Sequence, residues 1–234
     1  SEDLKKIMEE RLIQQKIQQG FSNGPRFEGW EIAEDGGCGF KLIKFTNGET
    51  FKDWKKNSDG SLEAGEYYFK ETYFRKWKEH KNGITECKKI ILNCGEIKEN
   101  WIRNRDDSEQ CEIRISKFRE TFKDWIRYPD GSEECELFID STGNEMGKWK
   151  KDKFGNQFFG YKKNLNRSEE CKLLILKTGE EREDWIKNLD GSGECRIRRT
   201  ICGSTYEDWK IYPNGVESAQ KKQSLGNTYL DWRR

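Results

Sequence analysis

Apolar and charged positions alternate along much of the chain. Cys111, Ile113 and Ile115 enclose Glu112 and Arg114, and the same step of two recurs in Cys38, Phe40, Leu42, in Cys135, Leu137, Ile139 and in Cys171, Leu173, Ile175. A period of two with one apolar face predicts half-buried β-strands, with charges such as Glu134 and Glu136 on the other face. The runs are punctuated by Asp35-Gly36, Asn47-Gly48, Asp59-Gly60, Asn82-Gly83, Asp130-Gly131, Asp190-Gly191 and Asn214-Gly215. Such pairs tolerate the positive φ of a two-residue type I′ hairpin turn.

The hairpins recur at a fixed interval. Trp30, Trp54, Trp77, Trp101, Trp125, Trp149, Trp185, Trp209 and Trp232 are 23 or 24 residues apart, except for the 36 between Trp149 and Trp185. Glycines follow a grid of about 12 residues, which includes Gly36, Gly60, Gly83, Gly131, Gly155, Gly191 and Gly215, while Thr72, Asp107, Arg119 and Arg167 occupy most unfilled nodes. Twelve residues suit one strand plus one tight turn. The expectation is an all-β, extended antiparallel meander of about nine hairpin repeats over 27–234. A half-repeat seam falls near 149–161, where Tyr161 replaces Trp as the anchor and every later strand runs in the opposite sense.

The Trp strands fit a flat strand poorly. Phe51 and Trp54, Phe74 and Trp77, Phe122 and Trp125, and Tyr206 and Trp209 are three apart and would fall on opposite faces. Either a bulge intervenes or both faces carry aromatic rows; the latter is expected, with Lys and Arg stems covering part of the rings.

Before the repeats, residues 1–20 are expected to form a helix, since Leu4, Ile7, Met8, Leu12, Ile13 and Ile17 recur at helical spacing and Gly20 stops the run. A linker spans 21–26. The helix is expected either to dock a partner or to cap the first strands. Tyr229 and Trp232 lie in a final edge strand, which suggests edge-to-edge self-association.

Composition alone would lean toward disorder: 32% of residues are hydrophobic, 37% are charged, and the mean hydropathy is −1.09. The regular repeat and nine Trp oppose that reading. Positive and negative charges nearly cancel, 44 against 43, and are interleaved, which gives no case for nucleic acid. No apolar run is long enough for a transmembrane helix, and the opening residues are too polar for a secretory leader, although a start at Ser leaves an upstream segment open.

Cys87, Cys111, Cys135, Cys171 and Cys195 all lie ten residues after the repeat's aromatic anchor. In a meander they would stand two strands apart, roughly 9.6 Å, too far for a bridge. They read as small buried apolar groups in a reducing compartment, cytoplasmic or similar.

The hairpin unit resembles MORN-type repeats, in particular the variant form in which a Trp strand leads into an Asn-Gly turn. Matching positions are Trp54 with Gly60, Trp77 with Gly83, Trp125 with Gly131, Trp185 with Gly191 and Trp209 with Gly215. The chain departs from the pattern in its Phe-Lys-Asp-Trp or Tyr-Glu-Asp-Trp entry and keeps the Gly-x-Gly after the turn only at Gly191-Ser192-Gly193. The resemblance implies a non-enzymatic, elongated scaffold of the kind found in cytoskeletal, ciliary or membrane-adjacent assemblies.

Catalytic chemistry has little support. The single histidine, His80, sits beside a turn, Cys87/Cys94 and Cys195/Cys202 lack zinc-ligand spacing, and no phosphate loop or nucleophile motif occurs. Asp53, Asp124, Asp184, Asp208 and Asp231 precede Trp as a repeat feature, whereas an active site needs one copy. The expected function is a non-enzymatic scaffold for protein partners, without cofactor or metal. The alternative is a module in which aromatic rows led by Trp54, Trp77, Trp101 and Trp125 stack on a glycan or another extended ligand.

Overall fold

The structure, a computed structural model, describes residues 24–234. The expected helix, with Leu4, Ile7, Met8 and Leu12, lies outside the described residues, as does the first half of the linker; Arg26 already opens the first strand.

The chain divides into two compact units, one ending at Lys117 and the other beginning at Phe118. Unit 1 contains β1 (Arg26–Ile32), β2 (Cys38–Lys44), β3 (Thr50–Lys56), β4 (Leu62–Phe69), β5 (Thr72–Glu79), β6 (Thr85–Ile91), β7 (Ile97–Arg103) and β8 (Glu109–Ile115). Each pairs antiparallel with the next. Unit 2 contains β9 (Thr121–Arg127), β10 (Glu133–Ile139), β11 (Glu145–Lys151), β12 (Gln157–Phe159), β13 (Lys162–Lys163), β14 (Glu169–Ile175), β15 (Glu181–Lys187), β16 (Gly193–Arg199), β17 (Thr205–Ile211), β18 (Glu217–Ser224) and β19 (Asn227–Arg233). Its ladders are also antiparallel and sequential, except that β12 and β13 both pair with β14.

The turns stand at the expected nodes but belong to another class. In the first, the Gly36 N–H donates to Ala33 O at 3.0 Å and the Ala33 N–H donates to Gly37 O at 2.8 Å. Within the loop only Gly36 has a positive φ, 82°. This is a three-residue loop, a type I turn closed by a left-handed residue, rather than the two-residue type I′ turn. The Asp or Asn before the glycine is there as an acceptor: Asp59 Oδ1 takes the Ser61 N–H at 2.8 Å, Asp130 Oδ1 the Ser132 N–H at 2.8 Å, and Asn214 Oδ1 the Val216 N–H at 3.1 Å. Type I′ geometry occurs instead at Lys70-Glu71 (φ 46° and 62°) and Leu225-Gly226 (φ 51° and 77°), each enclosed by a paired residue on either side.

The strands carry a step at mid-length. Asp53, Lys76, Asn100, Asp124, Asp184, Asp208 and Asp231, each immediately before a Trp, have φ of 54°, 50°, 52°, 52°, 53°, 49° and 48°. Residues three apart therefore face the same side: Phe122 and Trp125 are 5% and 2% exposed. The facing strand makes the same three-residue step, since Cys135 and Phe138 are both buried, and the register is kept with Glu134 opposite Ile126 and Leu137 opposite Lys123. The expectation of aromatic rows on both faces is thus corrected, and so is the strict alternation, because Leu137 and Ile139 are only half-buried. A left-handed non-glycine residue costs roughly 1–2 kcal/mol. Burying one more large apolar side chain contributes about 1.5–3 kcal/mol, which offsets it.

The step produces one buried row across each unit. Trp101 lies between Cys87 and Cys111, while Trp185 faces Cys171, Trp209 faces Cys195, and Ala64 and Ala219 take the small position opposite Trp77 and Trp232. In the first repeat Phe40, not Cys38, stands between Trp30 and Trp54. A small residue fits where a buried indole fills the space on both sides, whereas Trp30 and Trp54, which flank Phe40, are only half-buried. Burial pushes the Cys87, Cys111, Cys135, Cys171 and Cys195 thiols up to about 12, whereas Cys94 and Cys202 are exposed.

At the seam one strand does the work of two. Phe159 of β12 faces Trp149 as a small-position residue would, and three residues on Lys162 of β13 pairs with Glu170 of β14. Between them Gly160 (φ 66°) supplies the step before Tyr161.

Candidate interaction surfaces

The anchor residues are mostly interior. Trp77, Trp101, Trp125, Trp149, Trp185 and Trp209 are buried, while Trp30, Trp54, Tyr161 and Trp232 are half-buried. Five of them have their polar edge satisfied by the residue eight positions on, Trp209 by Glu217 at 3.4 Å among them. The Trp101 indole N–H donates to Glu109 at 3.2 Å, that of Trp125 to Glu133 at 3.1 Å, that of Trp149 to Gln157 at 3.2 Å, and the Tyr161 hydroxyl donates to Glu169 at 3.0 Å. Trp185 has Gly193 there instead, and a Cβ on Gly193 would stand 2.3 Å from the ring. The link was readable in the sequence as Glu or Gln eight residues after Trp101, Trp125, Trp149, Tyr161 and Trp209. Of the four rings named for glycan stacking, Trp77, Trp101 and Trp125 are 7%, 3% and 2% exposed, so they form no open platform.

In unit 2 two arginines occupy positions where most other repeats bury apolar side chains, the positions that Lys98 and Arg114 hold in β7 and β8. The guanidinium of Arg182 lies 4.6 Å from the Trp185 ring and 4.9 Å from that of Trp209; Arg198 lies 4.6 Å from Trp209 and 5.2 Å from Tyr206. Glu180 accepts Arg198 Nε at 2.8 Å and Arg182 Nε at 2.9 Å, and Glu217 accepts Arg198 at 3.3 Å. Burial pushes the Glu180 carboxyl up, but the hydrogen bonds from Arg198 and Arg182 outweigh it and hold the group below the ordinary glutamate range. The cluster is internally satisfied and offers no open valence.

The mid-strand step leaves a trough on each unit. In unit 1 a groove of about 490 Å³ is lined by Asp53, Lys76, Lys88, Asn100 and the rims of Trp77 and Trp101. In unit 2 an equivalent groove of about 510 Å³ runs past Asp184, Arg196, Asp208 and Lys210. There Arg196 is bound to Asp184 at 2.9 Å and Glu183 at 2.6 Å, and Lys210 lies 3.3 Å from Glu194.

The outer strand of unit 2 is a third surface. Among the described residues β19 pairs with β18 alone. Tyr229 and Leu230 are 49% and 73% exposed, and Trp232 packs edge-on to Tyr206 at 5.0 Å. His80 sits at a turn with Nε2 3.3 Å from Glu86. Among the described residues no group of three or more His, Cys, Asp or Glu is placed to hold a metal, and no helix is long and apolar enough to cross a membrane.

No family model matches the chain, so the likeness to MORN-type repeats rests on its period and turn residues. No curated protein matches it either. Among solved structures, the G-box domain of the microcephaly protein CPAP, described as suggesting a role in centriole elongation, is similar at 13% identity and a TM-score of 0.32 over 86% of this chain and 98% of that one. The SAS-4 (dCPAP) TCP domain of Drosophila melanogaster, in complex with a proline-rich motif of Ana2 (dSTIL), is similar at 14% identity and a TM-score of 0.23 over 73% and 93%. The TCP10c domain of Drosophila melanogaster Sas-4 is similar at 13% and 0.25 over 88% and 99%. At these scores the likeness carries nothing about this chain's function.

Proposed function

We propose that the chain is a non-enzymatic scaffold that engages protein partners, including a second copy of itself, by strand pairing at the outer edge of β19. The observation that carries this reading is the one-sided pairing of β19 with Tyr229 and Leu230 exposed. Ser224 and Asn227 close the two-residue hairpin as a hydrogen-bonded pair, so by alternation the main-chain groups of Thr228 and Leu230 point away from β18. An edge of this kind accepts an added strand. The burial of the tryptophans weighs against the glycan-stacking alternative, and the free buried thiols fit a reducing compartment.

Leu230→Pro removes one outward N–H while leaving the β18 ladder intact. The mass of the native chain, followed by light scattering across a wide concentration range, should rise with concentration, and that of Leu230→Pro should stay monomeric. A native chain that stays monomeric throughout, or a proline variant that associates equally well, would overturn the edge reading.

A further inference from the structure

Along the bottom of each trough, the left-handed residue before the Trp stands opposite one residue of the next strand. Most of these pairs are complementary or neutral. Asp184 meets Arg196 at 2.9 Å, Asn100 donates to Glu112 at 2.5 Å, and by register Asp53 stands opposite Gly65 and Asp208 opposite Gln220. Asp124 and Glu136 are both acidic, but Lys148 lies 3.6 Å from Glu136. The exception left without relief is in unit 1. The pairs Arg75 with Lys89 and Lys78 with Glu86 set Lys76 directly opposite Lys88.

Both lysines are exposed, both line the groove of about 490 Å³, and neither forms an ion pair among the described residues. Like charges directly opposite on a sheet are destabilising. Lys76 moreover holds a left-handed backbone, φ 50°, that Asp, Asn or Gly holds in most other repeats. The Lys88 ammonium keeps Lys76 below the ordinary lysine value. The carboxylates of the groove are engaged or remote: Glu86 faces Lys78 and lies 3.3 Å from His80, Glu63 faces Lys55 and Lys78, and Asp53 stands two strands away across Gly65.

We propose that this groove binds an acidic segment of a protein partner, with a carboxylate seated between Lys76 and Lys88. A carboxylate has two oxygens and accepts from both ammonium groups at once, turning a repulsive pair into a bridged one. The occupant is a peptide rather than a polyanion because Asp53, Glu63 and Glu86 line the same trough as Lys76, Lys78 and Lys88. A nucleic acid or an anionic membrane would meet those carboxylates along its length. A peptide of mixed charge can set its acid on the lysine pair and a basic side chain near Asp53.

The test is a titration of the isotopically labelled full chain with a short Gly/Ser peptide carrying two adjacent glutamates, followed by amide and lysine side-chain NMR at low salt. Shifts should concentrate on Lys76, Lys88 and Asn100, and the glutamine version of the peptide should produce none. Affinity should fall roughly tenfold in Lys76→Gln/Lys88→Gln, the size expected for two charged hydrogen bonds near a solvated surface. Lys172→Gln/Lys210→Gln is the charge-matched control and should leave affinity within about twofold. Absence of shifts, shifts spread over all surface lysines, or equal losses in the two double variants would overturn the proposal. Folding of the variants is read from their dispersed spectra, and if Lys76→Gln/Lys88→Gln does not fold, Lys88→Gln alone serves. Leu230→Pro should bind the peptide like the native chain, which separates this site from the β19 edge.

Discussion

Strands β3–β5 of unit 1 and β15–β17 of unit 2 fill the same row of positions by different chemistry. In unit 1 Phe51 stacks on Tyr67 with ring centres 4.3 Å apart and 8° between planes, and Tyr67 continues onto Phe74 at 5.0 Å. In unit 2 the guanidinium groups of Arg182 and Arg198 lie 4.9 Å and 4.6 Å from the Trp209 ring, held by Glu180 and Glu217. The repeat therefore requires a group that covers the indole and matches the spacing of the strands, and an aromatic ring is only one such group. A guanidinium serves equally when carboxylates satisfy its edge, because its faces are weakly hydrated and pack against rings. The aromatic solution is indifferent to acid, and the ionic one is not.

The largest test of this equivalence is Trp209→Ala. It removes a side chain that is 1% exposed and uncovers two cations, so unit 2 should lose at least about 3–5 kcal/mol, read as faster hydrogen exchange in β15–β17 with β4–β6 unchanged. Glu180→Gln keeps the shape but takes the shared negative charge from both arginines, and should cost about 2–3 kcal/mol in the same strands. Its acid dependence sharpens the contrast. Because the folded Glu180 value is lowered, its contribution is present above the ordinary glutamate range and disappears as pH falls through the lowered folded value. Protection of β15–β17 should decline in acid in the native chain, and this part of the decline should be missing in Glu180→Gln. Replacing the cluster wholesale, Glu180→Leu with Arg182→Phe, Arg198→Ile and Glu217→Gln so that no carboxylate is left without its cation, should leave unit 2 within about 2 kcal/mol of the native chain or stabilise it, since a buried ionic group and a packed apolar one are often of similar worth. A loss well beyond that would show the guanidinium groups to be more than covers. The smallest effect is expected at Lys70, the first left-handed residue of a type I′ turn, φ 46°: Lys70→Asn should stabilise unit 1 by about 0.5 kcal/mol, seen as a small rise in Tm.

Much of the fold could be read from glycines and tryptophans. The turn nodes, the sequential pairing, the buried cysteines and the shared strand at Tyr161 all follow from spacing. What the alternation concealed was the mid-strand step, because a period of two assumes an unbroken extended backbone. The clue was present in Asp53, Asn100, Asp124, Asp184, Asp208 and Asp231, residues that tolerate a left-handed φ, all immediately before a Trp. Lys76 at the same position hid the rule and marks the exception on which the groove proposal rests. The turn class was missed for a related reason. Asp-Gly and Asn-Gly also suit a three-residue loop in which only the glycine is left-handed and the acid accepts a hydrogen bond. Arg182 and Arg198 were not legible in the sequence because a charged residue gives no sign that it will cover an indole.

The strand shared at Phe159 and Tyr161 gives unit 2 an address. Before it, the turns that follow Trp125 and Trp149 lie at one side of the unit; after it, those that follow Trp185 and Trp209 lie at the other. A perfectly periodic array looks the same at every step, so a partner reading one side could slip by a whole repeat without penalty. Here each side changes its script once, from one kind of turn to the other. A ligand long enough to cross that point has a single matching alignment.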